Sequence, residues 1–190
     1  MPPASPSAKK NTAGEKSAMM KNTFWFLLMM LFIIPQADAE VTAQARATLV
    51  DSTGKPVGNA AFFQGPAMVV IGLYLYNLPP GPHAVHLHAV GACRPDFLAA
   101  KGHINPNNVK HGILNGSGPD NGDLPNVMVG PDGTAHVEIH TPWVSINQGM
   151  AALLDQDGST IIIHAKADDH ITQPIGGAGA RIACGVIVPN

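Results

Sequence analysis

The chain has 190 residues, enough for one domain with a sizeable buried core but short for two. Its 11 basic and 13 acidic residues give a net charge of −2, and without residues 1–39 the seven basic and eleven acidic residues that remain give −4. Nucleic acids and anionic membranes are bound through a basic face that replaces their counterions, so this mildly acidic chain excludes both as partners.

The N-terminal segment has the pattern of a secretory signal peptide. An apolar run over residues 24–34 follows four lysines and is too short to span a bilayer comfortably. The small-x-small sequence ADA follows at residues 37–39, so we expect cleavage before Glu40. The alternative is an uncleaved N-terminal anchor. We therefore predict a leader over residues 1–39, one domain over residues 40–190, and a periplasmic or secreted location without membrane association once the leader is removed.

From residue 42 onward, short runs of alternating apolar and polar residues are separated by Gly, Pro, Asn and Asp clusters every eight to twelve residues. This pattern is typical of an antiparallel all-β domain, and eight strands favour a Greek-key β-sandwich or flattened barrel. The predicted strands cover residues 42–50, 59–64, 68–75, 84–89, 126–129, 135–140, 160–165 and 181–188.

Two segments, residues 91–125 and 168–180, are long, rich in Gly, Asn, Pro and Asp, and lack the strand pattern. Long ordered loops on a β scaffold are usually functional, so we expect both to form the site. Any helix should be one short turn near residues 96–100.

Histidines supply the strongest chemical signal. His86 and His88 lie two apart in a predicted strand, so their side chains share one face and can grip one metal ion. His83 has the opposite parity, which indicates a structural role, such as a bond to a backbone carbonyl. His164 ends a β-branched run next to Asp168, and ligand histidines often have such a carboxylate behind them.

Four further candidates lie in the first loop: His103, His111, Asp120 and Asp123 are spaced 8, 9 and 3 residues apart. Mixed imidazole and carboxylate donors suit zinc, and a bound ion would order a loop with little apolar surface of its own. A solvated acidic loop is the alternative.

The chain has two cysteines, Cys93 and Cys184. In an exported protein an even number of cysteines is interpreted first as a disulfide, with two free buried thiols as the alternative. The bond would tie the first loop to the C-terminal strand.

Together these segments resemble the copper/zinc superoxide dismutases, in particular the bacterial periplasmic branch. The resemblance covers residues 41–187 and rests on six motifs in order: GPHAVHLH (81–88), HINP (103–106), HG (111–112), GDL (122–124), HAKADD (164–169) and RIACGVI (181–187).

The resemblance implies one copper and one zinc ion per subunit. Its copper ligands are His86, His88, His103 and His164. Its zinc ligands are His103, which bridges both ions, His111 and Asp123. It also implies that Cys93 bonds Cys184, that Arg181 orients the anionic substrate, and that Asp168 links ligands of the two metals. One departure is Asp120, which stands where the family has a third zinc histidine. The zinc site could therefore be His2Asp2, weakened or empty.

The activity that the resemblance implies is disproportionation of superoxide, with Arg181 and His103 in catalytic roles. A non-catalytic copper-binding or chaperone-like domain of the same fold is the alternative, although all four copper ligands are present. Because residues 168–180 contain no lysine, attraction of an anion is expected from Arg181 and copper, with His170 or Lys166 as further sources. A homodimer stays open, since apolar strand residues of a dimer face cannot be told from core residues.

Overall fold

The computed structural model of the chain describes residues 42–190. The predicted leader, residues 1–39, and its cleavage point lie outside the described residues. Within the described part no helix is long and apolar enough to cross a membrane.

The described chain contains ten strands and one 3-10 helix, which confirms an all-β fold. The strands are β1 (Ala45–Val50), β2 (Pro56–Gln64), β3 (Val69–Leu75), β4 (Gly81–His83), β5 (Val85–His88), β6 (Val127–Val129), β7 (Ala135–Thr141), β8 (Thr160–His164), β9 (Arg181–Val186) and β10 (Val188–Pro189). The 3-10 helix, Phe97–Ala100, lies where one short turn was predicted, and the Asp96 carboxylate accepts a hydrogen bond from the amide of Leu98 at its start.

One curled antiparallel sheet contains eight of the strands, in the order β5-β8-β9-β1-β2-β3-β7 with β10 on β1. A separate pair, β4 and β6, forms a small second sheet. Alternation along the strands puts the apolar residues on the inner side, as β3 illustrates with Val69, Ile71, Leu73 and Leu75 all buried. The candidate site lies at the edge of this sheet where β5 pairs with β8.

The predicted strand over residues 84–89 is preceded by a separate strand, and the reason lies at Ala84. Its amide donates to the carbonyl of Lys166, and its carbonyl accepts from the amide of His164. Before Ala84 the chain pairs with β6, and after it with β8. The change of partner divides residues 81–88 into β4 and β5, which alternation alone did not predict.

His83 contacts two backbone carbonyls, as its predicted structural role requires. Its Nδ1 lies 2.7 Å from the carbonyl oxygen of His164, and its Nε2 lies 2.7 Å from that of Pro79. A neutral ring can donate only one of these hydrogen bonds at a time. The buried ring therefore supports the end of β8 from behind.

Candidate metal centre

Two strands and one loop bring four histidine rings together. His86 and His88 lie on β5, which pairs with β8, and His164 ends β8. The chain at His103 forms an isolated bridge with His88. Ring centroids of His86 and His103 are 4.2 Å apart, and those of His86 and His164 are 4.9 Å apart.

Each of these four rings has one nitrogen bound to an oxygen and one buried nitrogen without a hydrogen-bond partner. The partnered nitrogens are His86 Nε2 to Asp168 Oδ2 (2.8 Å), His88 Nδ1 to Lys101 O (2.8 Å), His103 Nδ1 to Asp120 Oδ2 (2.9 Å) and His164 Nδ1 to Gly179 O (3.0 Å). The unpartnered atoms are His86 Nδ1, His88 Nε2, His103 Nε2 and His164 Nε2.

Buried polar atoms without partners are rare, because each has lost its hydrogen bonds to water. In a neutral ring whose outer nitrogen donates to an oxygen, the inner nitrogen keeps its lone pair. Ligand atoms of His86, His88 and His164 all lie within 4.8 Å of one another, as one ion requires. Four imidazole nitrogens without a thiolate fit copper.

Burial keeps most of these rings neutral. It lowers the pKa of His86 and of His164 to about 4, and it holds the pKa of His88 well below the ordinary value. At neutral pH all three are therefore uncharged, which is the state in which imidazole binds a metal.

A second cluster contains the four predicted loop ligands. His103, His111, Asp120 and Asp123 each offer an atom within 4.8 Å of the others. The closest pair is His111 Nδ1 and Asp123 Oδ1 at 2.5 Å, and the second oxygen of Asp123 accepts from the amides of Gly112 and Asp120. Two imidazoles and two carboxylates supply four donors, the number that a tetrahedral zinc site takes. Asp120 is buried with its Oδ2 in this cluster, so it lies where a ligand would.

The pKa shifts in this second cluster follow from its opposite charges. Burial opposes the charged form of His111, but hydrogen bonds to Asp123 and Asp168 outweigh it and raise its pKa to about 10. Burial opposes the charged form of Asp123 as well, but hydrogen bonds to His103 and His111 outweigh it and hold its pKa far below the usual value. Without an ion, protons on imidazole balance the carboxylates, and a divalent cation would replace them.

Asp168 links the two clusters. Its Oδ2 is 2.8 Å from Nε2 of His86, and its Oδ1 is 3.1 Å from Nε2 of His111. Asn126 fixes it by accepting from its amide and donating to its carbonyl, both at 2.8 Å. Sequence reasoning missed Asn126, because it was assigned to the predicted strand over residues 126–129, whereas the structure has it just before β6.

Gln173 is a second residue that the sequence did not identify. Its Oε1 accepts from the amide of His111 at 3.0 Å, and its Nε2 donates to the carbonyl of His111 at 2.8 Å. The side chain thus satisfies one residue of the first loop as a neighbouring strand would. Residues 168–180 are joined to the second cluster in this way.

A surface cavity of about 660 Å³ opens over both clusters. His88, His103 and His111 line it together with Arg181. The guanidinium of Arg181 donates to the carbonyls of Phe97 and Lys101, each at 2.5 Å. Lys166 and His170, the further positive groups suggested by the sequence, are not among the residues that line the cavity.

Instead, two other lysines, Lys101 and Lys110, line the cavity. Sequence reasoning missed them because they lie in the first loop and not in residues 168–180. Nearby, Cys93 and Cys184 form a disulfide, which confirms the predicted bond between the first loop and β9. The bond ties β9, which begins at Arg181, to the segment that carries the 3-10 helix.

Comparison with known proteins shows that the chain is similar to the members of one family. The family model described as copper/zinc superoxide dismutase (SODC) matches residues 57–187. A superoxide dismutase (Cu-Zn) of Caulobacter vibrioides is 48% identical over 147 residues, which cover 75% of this chain and 84% of that protein.

Solved structures agree. A SOD-like protein from Bacillus subtilis matches with a TM-score of 0.72 and 39% identity, covering 75% of this chain and 97% of that one. The Cu/Zn superoxide dismutase from Brucella abortus matches with a TM-score of 0.64 and 26% identity, covering 75% and 99%. The relatives thus include proteins named as dismutases and one named only as similar to them.

Proposed function

Because the chain belongs to the copper/zinc superoxide dismutase family, we propose that it converts two superoxide anions and two protons to dioxygen and hydrogen peroxide. The single observation that carries this proposal is the set of four buried imidazole nitrogens without hydrogen-bond partners. A domain that had lost copper would gain nothing from keeping four such atoms buried on neighbouring rings.

The residues that would hold copper are His86 through Nδ1 and His88, His103 and His164 through Nε2. The residues that would hold zinc are His103 and His111 through Nδ1, and Asp120 and Asp123 through one oxygen each. When bound, copper supplies the electron transfer, since its two oxidation states allow it to accept an electron from one superoxide and return it to another, whereas zinc has no redox chemistry.

Arg181 would bind the anionic substrate. Two carbonyls hold its guanidinium against the cavity wall, so little rotational freedom is lost when the anion arrives. Five donors on a guanidinium leave hydrogen-bonding capacity for superoxide after these two contacts. The cost of orienting the side chain is therefore met by the fold before substrate binds.

His103 would hold a proton. Its Nδ1 lies 2.9 Å from Asp120 Oδ2 and 3.5 Å from Asp123 Oδ1, whereas its Nε2 is buried without a hydrogen-bond partner. Whenever Nε2 is not occupied by copper, it could hold a proton and pass it to the peroxide, and water would supply the second proton. Asp168 keeps the rings of His86 and His111 oriented through their outer nitrogens.

Location outside the cytoplasm is part of the proposal. A disulfide persists in oxidising compartments, and the bacterial relatives belong to the same family. With the signal-peptide pattern of residues 1–39, these observations support export to the periplasm or medium and removal of the leader before Glu40.

The test is metal content and dismutation measured together, for wild type and Asp120→His purified without the leader. We expect about one copper and one zinc per chain in wild type, with activity. If copper is present and zinc is low until histidine replaces Asp120, the second site is degenerate and the proposed zinc ligation by Asp120 is wrong. If reconstituted wild type binds no copper and shows no dismutation, the enzyme proposal is wrong.

A further inference from the structure

A second surface cavity adjoins the cavity over the two clusters. Its volume is about 360 Å³, and Leu98 and Arg181 line both cavities. Cys93 of the disulfide and Phe97 of the 3-10 helix also line it, whereas none of the residues of the two metal clusters does. The second cavity is therefore separate from the candidate metal centre, although the two cavities share part of one wall.

Much of the wall of this second cavity is apolar. The residues that supply the apolar part are Pro95, Phe97, Leu98 and Ala180. Leu98 is 69% exposed, so its side chain would lose contact with water when a molecule fills the cavity, which favours binding of an apolar body. A concave site of a few hundred cubic ångströms with apolar walls and a few polar groups is typical of a small-molecule site.

The charged groups of the wall have a positive sum. Arg94 and Arg181 supply two positive charges and Asp96 one negative charge, which leaves +1. Every ion pair within 4.0 Å among residues 42–190 has a histidine as its basic member, so neither arginine has a carboxylate at that distance. Asp96 is engaged elsewhere, since its Oδ1 accepts from the amide of Leu98 at 2.9 Å. The cavity therefore has positive charge for an anionic ligand to pair with.

Arg94 packs against the turn of residues 51–54. Its side chain is exposed, and its Nη2 lies 2.7 Å from the point that a Cβ on Gly54 would occupy. Gly54 has φ 89°, a conformation that glycine adopts without strain. The glycine thus leaves room for the guanidinium, and Ser52 of the same turn also lines the cavity. A guanidinium and a hydroxyl are both hydrogen-bond donors that suit a carboxylate.

We propose that this cavity is a binding site for a small organic anion, namely a carboxylate with an apolar body, whose charged group pairs with Arg94. The body would lie on the apolar part of the wall, for which an inorganic anion has no use. Arg94 is the anchor because the guanidinium of Arg181 already donates to the carbonyls of Phe97 and Lys101. The site does not depend on the proposed function, since it takes neither metal nor superoxide.

The experiment uses 4-phenylbutyrate as the probe, with its uncharged isostere 4-phenylbutanamide and inorganic phosphate as controls. Affinities are measured by isothermal titration calorimetry at fixed ionic strength on the disulfide-bonded protein without the leader. Arg94→Met removes the anchoring charge and Ala180→Leu fills the cavity. Arg46→Met is the matched control, because Arg46 is an exposed arginine that does not line this cavity. All three positions are exposed, and thermal midpoints near that of wild type show that each variant folds.

We expect wild type to bind 4-phenylbutyrate with a Kd of about 1 mM, an affinity in keeping with its size. Arg94→Met should weaken this binding about fivefold, as the loss of one exposed ion pair implies, and the uncharged probe should bind wild type weaker by a similar factor. Ala180→Leu should weaken it at least about tenfold, because the added side chain takes the space of the ligand. Arg46→Met should bind like wild type, and phosphate should not bind measurably.

Equal affinities of wild type for 4-phenylbutyrate and 4-phenylbutanamide would overturn the proposal, because the charge would not be recognised. Phosphate that binds as tightly as 4-phenylbutyrate would show that the apolar walls contribute nothing, and the assigned class of ligand would be wrong. A loss in Arg46→Met as large as that in Arg94→Met would mean that the probe follows the general charge of the surface. Undiminished binding in Ala180→Leu would put the probe elsewhere on the protein and refute the site.

Discussion

Removal of the Cys93–Cys184 disulfide should cost this fold a large part of its stability. The bond joins residues 91 apart in sequence and closes a loop that includes the four predicted zinc ligands and His164, but not His86 and His88. In the chain-entropy model, a loop of this length restricts the unfolded chain by about 4.6 kcal/mol at 25 °C. For a domain of this size that loss corresponds to a fall in Tm of about 9 to 18 °C.

The assay is urea unfolding of metal-free protein, because bound metal would add its own stabilisation to the folded state. Oxidised wild type, reduced wild type and the double variant Cys93→Ala with Cys184→Ala are compared. Reduced wild type keeps both sulfur atoms, so its loss measures the cross-link alone. The double variant should lose slightly more, since Cys184 is fully buried and alanine leaves its space unfilled.

A reductant should have no effect on the double variant, which serves as the control for non-specific effects. The slope of the unfolding free energy against urea should rise when the bond is absent, because the unfolded chain then exposes more surface. If oxidised and reduced wild type differ by less than about 1 kcal/mol, the loop-entropy argument is refuted for this protein.

Two further predictions concern the metal-free protein. Its stability should peak near pH 6.5. As pH falls from about 6.5 to about 4, His86 and His164 take up protons in the unfolded chain but not in the folded one, so the folded state loses stability. As pH rises from about 6.5 to about 10, the folded state loses the stabilising proton on His111. Urea midpoints across pH 4 to 10 test this, and His111→Gln should flatten the alkaline side; a flat alkaline side in wild type would contradict it. Replacement of Gln173 by methionine should leave the backbone amide and carbonyl of His111 without their partners, so amide exchange at His111 should accelerate at least tenfold and zinc binding should weaken. Unchanged exchange would show that the two hydrogen bonds from Gln173 to His111 are dispensable.

Sequence patterns predicted the parts of this structure that depend on short-range periodicity. Alternation located the strands other than β4, and the two-residue spacing of His86 and His88 predicted the close approach of their rings that the structure has. The spacing of the histidines and aspartates in the first loop was informative because a metal needs several donors of limited chemical type. The disulfide could be inferred because only two cysteines are present.

Residues that act through the backbone escaped prediction. Asn126 and Gln173 bind main-chain groups of distant segments, and such contacts leave no periodic trace in the sequence. Lys101 and Lys110 follow no pattern in the sequence, and only the folded structure shows that they line the same cavity as Arg181. Gly122 belongs with them, since a side chain there would collide with the carbonyl of Leu87 and with His103. Close approach between loop and strand is a property of the folded chain alone.

Asp168 and His103 couple metal binding in one cluster to metal binding in the other. One carboxylate contacts a histidine of each cluster, and one imidazole has a nitrogen in each. An ion bound on one side therefore changes the charge and orientation of donors on the other side. Whatever factor the first ion applies to the affinity of the second, the second must apply to the first. Loss of zinc would then be reported by the affinity for copper, and a single substitution in the shared residues would alter both constants together.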